Sequence, residues 1–160
     1  MRTAIYPGSF DPITYGHVDI VKRSLEIADR VIVGVLGNSA KNPLFSAEER
    51  VQQVRLALKG LRRVRVESFD GLLVDFLRHR HGSMVIRGLR AVSDFEYEFQ
   101  MALTNRRLER TAETVFLMPA ERYTFLSSSV VKEIARLRGS VRGLVPPHVA
   151  VALRSRYSGS

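Results

Sequence analysis

The sequence has no cysteine among its 160 residues, so disulfide bonds, thiolate metal sites and cysteine nucleophiles are excluded. It also has no stretch approaching the roughly 18 consecutive apolar residues that a membrane-spanning helix needs. The first apolar residues reach Pro7 and Gly8 too soon to form the core of a secretion signal. We therefore expect a cytoplasmic protein with no membrane partner, and the length predicts one domain with a single core.

Aromatic residues are sparse among the cations, which give the chain a formal net charge of +9. Of the 25 lysines and arginines, 21 are arginine, and no run contains five or more. A charge of this size attracts nucleic acid, but it also attracts smaller anions such as nucleotides. Dispersed arginines with few aromatics make a poor surface for stacking bases. A nucleic-acid-binding module is therefore the alternative from another class, and we expect no nucleic-acid partner.

Short runs of β-branched and apolar residues alternate with helical spacings along the chain. This alternation predicts an α/β fold, with a doubly wound five-stranded parallel sheet covered by helices. The predicted strands cover residues 3–6, 31–36, 64–66, 84–86 and 114–118. The predicted helices cover residues 17–28, 46–60, 72–79, 93–108 and 127–137, and Pro146 and Pro147 open a last one. We expect one domain over residues 1–157 and a disordered tail over residues 158–160.

Three unusual stretches, residues 7–17, 87–90 and 123–129, each follow a predicted strand. In doubly wound sheets the ligand lies beyond the carboxyl ends of the strands. The first stretch resembles a phosphate-binding loop, because its glycines let the backbone approach a ligand and His17 begins a helix whose free N–H groups favour an anion. It lacks both the Lys-Ser/Thr ending of a Walker loop and the spaced glycines of a dinucleotide-binding loop.

Residues 6–12 (YPGSFDP) and 14–17 (TYGH) resemble the first signature of the nucleotidylyltransferase superfamily. Residues 86–98 (IRGLRAVSDFEYE) and 126–133 (LSSSVVKE) narrow the resemblance to the bacterial phosphopantetheine adenylyltransferase family, over about residues 4–153. The resemblance implies a Rossmann-like nucleotidylyltransferase fold and direct in-line transfer of the adenylyl group of ATP to 4′-phosphopantetheine, giving dephospho-CoA and pyrophosphate. It also implies Mg²⁺ bound mainly through the ATP phosphates, a homohexamer and feedback binding of CoA.

The resemblance further implies roles for individual residues. His17 is the implied catalytic residue, which stabilises the α-phosphate in the transition state. The implied acceptor-binding residues are Ser9, Lys41, Leu73 and Arg87. The implied nucleotide-binding residues are Ser9, Phe10, His17, Gly88, Leu89, Arg90, Glu98, Tyr123, Thr124, Phe125, Leu126, Ser127, Ser128 and Ser129. No residue is assigned to a metal.

Several of these residues also have plain structural interpretations. Ser127 is a typical helix N-cap, Leu73 an ordinary core leucine, and Asp11 an N-cap or turn residue. His79 and His81 have poor spacing for zinc. An acceptor such as nicotinate mononucleotide also stays open, because enzymes for that acceptor share the Thr-x-Gly-His loop, and the stretch of residues 87–98 argues against it.

Overall fold

The computed structural model describes residues 1–38, 42–90 and 92–159, without the side chains of Val92 and Ser93. Within these ranges the strands are β1 (Thr3–Gly8), β2 (Arg30–Leu36), β3 (Val64–Phe69), β4 (Met84–Gly88) and β5 (Thr114–Leu117). The α-helices are α1 (Tyr15–Ile27), α2 (Ala47–Ala57), α3 (Leu73–His79), α4 (Val92–Leu108), α5 (Ser128–Arg136) and α6 (Pro147–Ser158). A short 3₁₀ helix, Glu121–Tyr123, follows β5. The predicted α/β class is confirmed.

All five strands run parallel in the order β3-β2-β1-β4-β5, which confirms the predicted doubly wound sheet. The order of winding reverses between β1 and β4. β1 pairs with β2 along its whole length, from Thr3 to Gly8, but with β4 only at Ala4 and Ile5. Beyond Ile5 the two strands separate, and they leave a crevice at the carboxyl end of the sheet, where such folds bind ligands.

Alternate residues of the central strands face two different cores. Val31, Val33 and Val35 of β2 belong to the core that α1, α2 and α6 cover, whereas Ile32 faces the core that α3 covers. Strands buried on both faces explain why these runs are almost continuously apolar in sequence.

α4 lies beside α3 on the second face of the sheet. Phe95 of α4 packs edge-on against Phe116 of β5, with ring centroids 6.0 Å apart. Among the described side chains of this helix, the buried ones are the polar Glu98 and Asn105. Six large apolar side chains of the same helix are exposed: Phe95, Tyr97, Phe99, Met101, Leu103 and Leu108.

β1 is longer than predicted, because it continues through Pro7 to Gly8. The carbonyl of Pro7 accepts a hydrogen bond from Arg87 Nη1 of β4 at 3.0 Å. The N–H and C=O of a strand residue point to the same side, so the N–H that proline lacks would also point towards β4. At Pro7 the pairing of β1 with β4 has already ended. Proline therefore removes no ladder hydrogen bond here.

Other boundaries also move because pairing and capping extend the elements. β3 runs to Phe69, and β4 to Gly88, where it pairs with Leu117. α1 begins at Tyr15 with Thr14 as its N-cap. α6 includes Ser158, the first residue of the predicted tail, and Ser160 lies outside the described residues.

Two side chains near helix starts test the predicted caps. Ser46 and Glu49 form the predicted capping box, with Glu49 N–H donating to Ser46 Oγ at 3.1 Å and Ser46 N–H donating to Glu49 Oε2 at 2.7 Å. Asp11, which the sequence predicts to be an N-cap or turn residue, lies in a turn and is not the cap of the helix that follows. Its carboxylate accepts the backbone N–H groups of Leu44 and Phe45, far along the chain. In the described part of the chain, no helix combines the length and apolar character required to cross a membrane.

Candidate active site

A cavity of about 270 Å³ opens at the crevice between β1 and β4. The segments that follow β1, β4 and β5 all contribute to its lining, as the position of the three unusual stretches predicts. The lining residues are Tyr6, Pro7, Gly8, Ser9, Phe10, Thr14, Gly16, His17, Ile20, Arg87, Gly88, Arg90, Asp94, Glu98, Pro119, Tyr123, Leu126, Ser127, Ser128 and Ser129.

His17 is oriented by the capping box at the start of α1. The backbone N–H of Thr14 donates to His17 Nδ1 at 2.9 Å, and the N–H of His17 donates to Thr14 Oγ1 at 3.4 Å. Because Nδ1 accepts a hydrogen bond, the proton of the neutral ring lies on Nε2. Among the described residues no group accepts this proton. The imidazole is therefore a fixed hydrogen-bond donor on the wall of the cavity.

The surroundings of His17 keep the ring neutral. Burial, together with the smaller effect of the nearby charges of Arg90 and Arg87, lowers its pKa from 6.5 to about 3. A second proton would also have to lie on Nδ1, facing the N–H of Thr14. The electrostatics and the hydrogen bond therefore agree that His17 donates without carrying a charge.

Phe10 packs behind the imidazole. Its side chain is buried, and its ring meets that of His17 edge-on with centroids 5.0 Å apart. Its backbone has φ of +50°, an uncommon value for a residue with a Cβ. A Cβ added at Gly8 would come within 3.1 Å of the Phe10 ring, so this close approach explains the glycine.

Arg87 is held by Glu98 in a two-pronged ion pair. Arg87 Nε donates to Glu98 Oε2 and Arg87 Nη2 to Glu98 Oε1, each at 2.6 Å. Burial works against the charge of Arg87, but the hydrogen bonds and charge of Glu98 outweigh it and raise its pKa. With the bond to Pro7, three of the five guanidinium N–H groups are used, which leaves two for a ligand.

Arg90 follows Gly88 and Leu89 in the chain and is more exposed than Arg87. Its Nε forms an ion pair with Asp94 Oδ2 at 3.2 Å, and its Nη1 donates to the carbonyl of Leu126 at 3.2 Å. The second contact joins the end of β4 to the segment before α5. Arg90 thus brings a positive charge to the cavity on the side where α5 begins.

The first turn of α5 also faces the cavity. Ser127 is the N-cap, as predicted, because its Oγ accepts the N–H of Val130 at 3.1 Å. Ser128 Oγ donates to the carbonyl of Pro12 at 2.7 Å. Within the described residues, the backbone N–H groups of Ser128 and Ser129 have no protein acceptor. A helix start with free N–H groups is a ready anion site.

The start of α1 offers less to an anion than the sequence predicts. The N–H of Tyr15 donates to the carbonyl of Leu144 at 2.9 Å, and the N–H of His17 is capped by Thr14. The contribution of this helix is therefore the side chain of His17 rather than a row of open amides.

Most residues implied by the resemblance reach this cavity. Those in its lining are Ser9, Phe10, His17, Arg87, Gly88, Arg90, Glu98, Tyr123, Leu126, Ser127, Ser128 and Ser129. Leu89, Thr124 and Phe125 are not in the lining, and Leu73 packs against the core below α3. Lys41 lies outside the described residues.

The cavity lining also contains residues for which no role is predicted from the sequence. Asp94 pairs with Arg90, and in sequence it is indistinguishable from an acid in the first turn of a solvated helix. Thr14 orients His17, and the signal for this is its position three residues before the histidine. Among the described residues, no three histidine, aspartate or glutamate side chains gather to hold a metal ion.

The cavity, the parallel sheet and the His17 loop together define a nucleotide-binding α/β protein. A model of the cytidylyltransferase-like family matches residues 5–134, so the chain belongs to this nucleotidyltransferase class.

Individual relatives narrow the class to one family. A protein of Moorella thermoacetica named phosphopantetheine adenylyltransferase is 54% identical over 157 residues, 98% of each chain. Proteins of the same name from Thermodesulfovibrio yellowstonii and Geobacter sulfurreducens are 55% and 52% identical, over 98% and 99% of this chain and 98% and 96% of theirs. The chain is a member of the phosphopantetheine adenylyltransferase family.

Proposed function

We propose that this chain transfers the adenylyl group of ATP to the phosphate of 4′-phosphopantetheine, which yields dephospho-CoA and pyrophosphate in coenzyme A synthesis. The observation that carries the proposal is the gathering of His17, Arg87, Arg90 and the first turn of α5 around one cavity. The relatives that share the name of this activity match nearly the whole chain.

The reaction needs alignment more than it needs a base. An oxygen of the acceptor phosphate attacks the α-phosphorus of ATP, the bond from that phosphorus to the bridging oxygen breaks, and pyrophosphate leaves. The attacking oxygen is already anionic, so no protein group has to remove a proton. Catalysis then consists of holding the two substrates in line and stabilising the charge that develops at the α-phosphate.

His17 is suited to stabilising that charge. Its neutral Nε2–H can donate to an α-phosphate oxygen without first losing or gaining a proton. The capping box fixes the ring before the substrate arrives, so little reorganisation is needed at the moment of reaction.

The two arginines are assigned to different phosphate groups of the two substrates. We assign the leaving phosphates to Arg90 and the amides of α5, with the residue 123–129 segment, Phe10, Gly88 and Leu89 contacting the rest of the nucleotide. We assign the acceptor to Arg87, Lys41, Leu73 and Ser9. The planar guanidinium of Arg87 suits a phosphate because its two remaining N–H groups can bind a pair of oxygens.

Mg²⁺ is proposed to enter with ATP. The cavity carboxylates, Asp94 and Glu98, are both paired with arginines, so they do not form a carboxylate site for the ion. Mg²⁺ commonly binds through substrate phosphates and water, where it neutralises phosphate charge. No metal ligand of the chain is therefore assigned.

The experiment is a product assay with purified protein. With ATP, Mg²⁺ and 4′-phosphopantetheine, we expect stoichiometric release of pyrophosphate and dephospho-CoA, identified by mass spectrometry. Parallel reactions replace the acceptor with nicotinate mononucleotide or the nucleotide with CTP. Turnover with either replacement at the rate seen with the proposed pair would contradict the assignment.

We also propose that the chain works as a homohexamer in the cytoplasm and binds CoA as a feedback ligand. Support for self-association comes from α4, which buries polar residues and exposes six large apolar ones. Phe95, Phe99 and Leu103 are spaced four residues apart and share one side of the helix. An exposed apolar patch of this kind is typical of a protein interface. CoA shares its adenylate and pantetheine parts with dephospho-CoA, so the same cavity would receive both.

A further inference from the structure

One arginine that the cavity does not contain connects two of the loops around it. The guanidinium of Arg50, on α2, belongs to a residue that is 0% exposed. Among the described residues, no carboxylate forms an ion pair with Arg50. Its N–H groups donate to backbone carbonyls instead. These are the carbonyls of Ser9 at 2.8 Å, Leu36 at 2.8 Å, Phe45 at 3.1 Å and Gly37 at 3.4 Å.

Asp11 holds the same region with the opposite charge. Its Oδ2 accepts the N–H of Leu44 at 2.8 Å, and its Oδ1 accepts the N–H of Phe45 at 2.9 Å. Lys132 Nζ of α5 lies 3.1 Å from Oδ2. The carboxylate therefore contacts the segment before α2 and the helix whose first turn faces the cavity.

Asp11 and Arg50 both bind the backbone of Phe45, and Arg50 also binds the loop that carries Asp11. The backbone of Phe45 is held on its N–H by Asp11 and on its C=O by Arg50. Arg50 also binds the carbonyl of Ser9, two residues before Asp11. The loop after β1 and the segment between β2 and α2 are thus tied to each other twice. Buried charges are costly unless they are hydrogen-bonded or paired. Here Arg50 donates to four carbonyls, and Asp11 accepts two backbone N–H groups and pairs with Lys132.

We propose that Arg50 and Asp11 are positioning residues that set the separation of these two segments, and thereby the alignment of nucleotide and acceptor. Ser9 lines the cavity, and the segment between β2 and α2 carries Lys41 in the sequence. The effect of this positioning on catalysis rests on the proposed function. Neither side chain lines the cavity, so both act through the backbone.

Replacing Arg50 by lysine keeps the charge but removes the fork that reaches several carbonyls at once. A misplacement of about 1 Å can cost roughly 100-fold in rate. For Arg50→Lys we expect kcat/KM for 4′-phosphopantetheine to fall by ~10- to 100-fold, with both a lower kcat and a higher KM. The Kd of ATP, measured by calorimetry, should stay within about threefold, because the cavity residues themselves are unchanged.

Arg55→Lys is the matched control on the same helix. Arg55 is exposed and donates one hydrogen bond, to the carbonyl of Val66 at 3.3 Å, so wild-type kinetics are expected. Asp11→Asn is the second test variant, since its amide NH₂ would face a backbone N–H. It should show the same loss as Arg50→Lys. All variants are assayed well below their own midpoints of thermal unfolding, so that the kinetics report folded protein.

Two outcomes overturn the inference. One is a folded Arg50→Lys protein with kcat and both KM values within twofold of wild type. The other is an equal loss of ATP affinity and turnover, which would indicate general damage to the fold. Should Arg50→Lys fail to fold, Asp11→Asn decides by the same criteria.

The proposed function can fail separately. If the wild-type chain transfers no adenylyl group to 4′-phosphopantetheine, amide hydrogen exchange still tests the contacts. Exchange at Leu44 and Phe45 should then speed up at least tenfold in Asp11→Asn while the strands stay protected. Unchanged exchange at both residues would overturn the positioning role.

Discussion

The backbone N–H of Thr14 donates to Nδ1 of His17 at 2.9 Å, and this contact decides what the histidine can do. It fixes the tautomer with the proton on Nε2, and it disfavours the doubly protonated ring. The N-cap of α1 is thus also the group that prepares a neutral donor for the cavity.

Replacing His17 by alanine should abolish most turnover and leave ATP binding largely intact. One lost transition-state donor typically costs ~10²–10³-fold in kcat, whereas ATP retains Arg90 and the amides of α5. Steady-state kinetics give kcat and calorimetry gives the Kd of ATP. The control is His79→Ala, an exposed histidine at the end of α3, which should behave as wild type. A parallel loss of binding and turnover would make His17 a structural residue.

The low pKa of His17 predicts how activity and stability depend on pH. The native ring stays neutral down to about pH 3, whereas an unfolded histidine takes up a proton near pH 6.5. Activity should therefore show no limb from His17 between pH 5 and pH 8. The unfolded state binds the extra proton below pH 6.5, so the stability that the neutral ring permits is full above that pH and declines as the pH falls towards 3.

Urea unfolding at pH 7.5 and pH 4.5 tests this second effect. The decline from this residue is at most about 1.4 kcal/mol per pH unit. The total loss of unfolding free energy between the two pH values should be smaller in His17→Ala, which has no imidazole to protonate at this position. An identical decline in the two proteins would mean that the ring is not held neutral.

Glu98→Gln should weaken binding of the acceptor more than binding of the nucleotide. Both carboxylate oxygens of Glu98 bind Arg87, so the change loosens the guanidinium that we assign to the acceptor phosphate. A charge-assisted hydrogen bond is worth ~1.5–3 kcal/mol, which corresponds to roughly 10- to 100-fold in KM for 4′-phosphopantetheine. The exposed Glu96 provides a control on the same helix. A larger rise in the KM of ATP would instead support the direct nucleotide contact that the resemblance implies.

A charge placed on the apolar face of α4 should separate the assembly. Phe99 is 48% exposed in the single chain, and Phe99→Arg would bury an unpaired cation if that face is an interface. Analytical ultracentrifugation should show a hexamer for wild type and smaller species for the variant. Gln52→Arg adds the same charge to the exposed side of α2 and should leave the hexamer intact. A wild-type monomer would contradict the proposal.

Periodicity was sufficient to predict the order of strands and helices, because each buried strand is a short apolar run and each helix keeps a 3.6-residue spacing. It failed at the ends of β1 and β4. A local pattern treats Pro7 and Gly88 as breaks, whereas pairing with neighbouring strands carries both strands through them. The boundary of a strand depends on its partners, which the local sequence does not contain.

The candidate site shows the same limit at the level of side chains. The histidine loop and the two arginines stand in unusual motifs, so they could be found. Arg50 lies in an ordinary helical stretch, where it looks like any solvated arginine, and only the fold brings four carbonyls around it. Asp11 was interpreted from turn chemistry, yet its partners are more than 30 residues away.

The early parting of β1 from β4 has a consequence for how substrates enter. Since their ladder stops at Ile5 and Val85, the mouth of the crevice is a permanent notch in the sheet, and no backbone pairing has to be unzipped to admit a ligand. Arg87 spans that notch by reaching across to Pro7. The width of the entrance is therefore set by a side chain, which Glu98 anchors from the other side, and not by a backbone ladder.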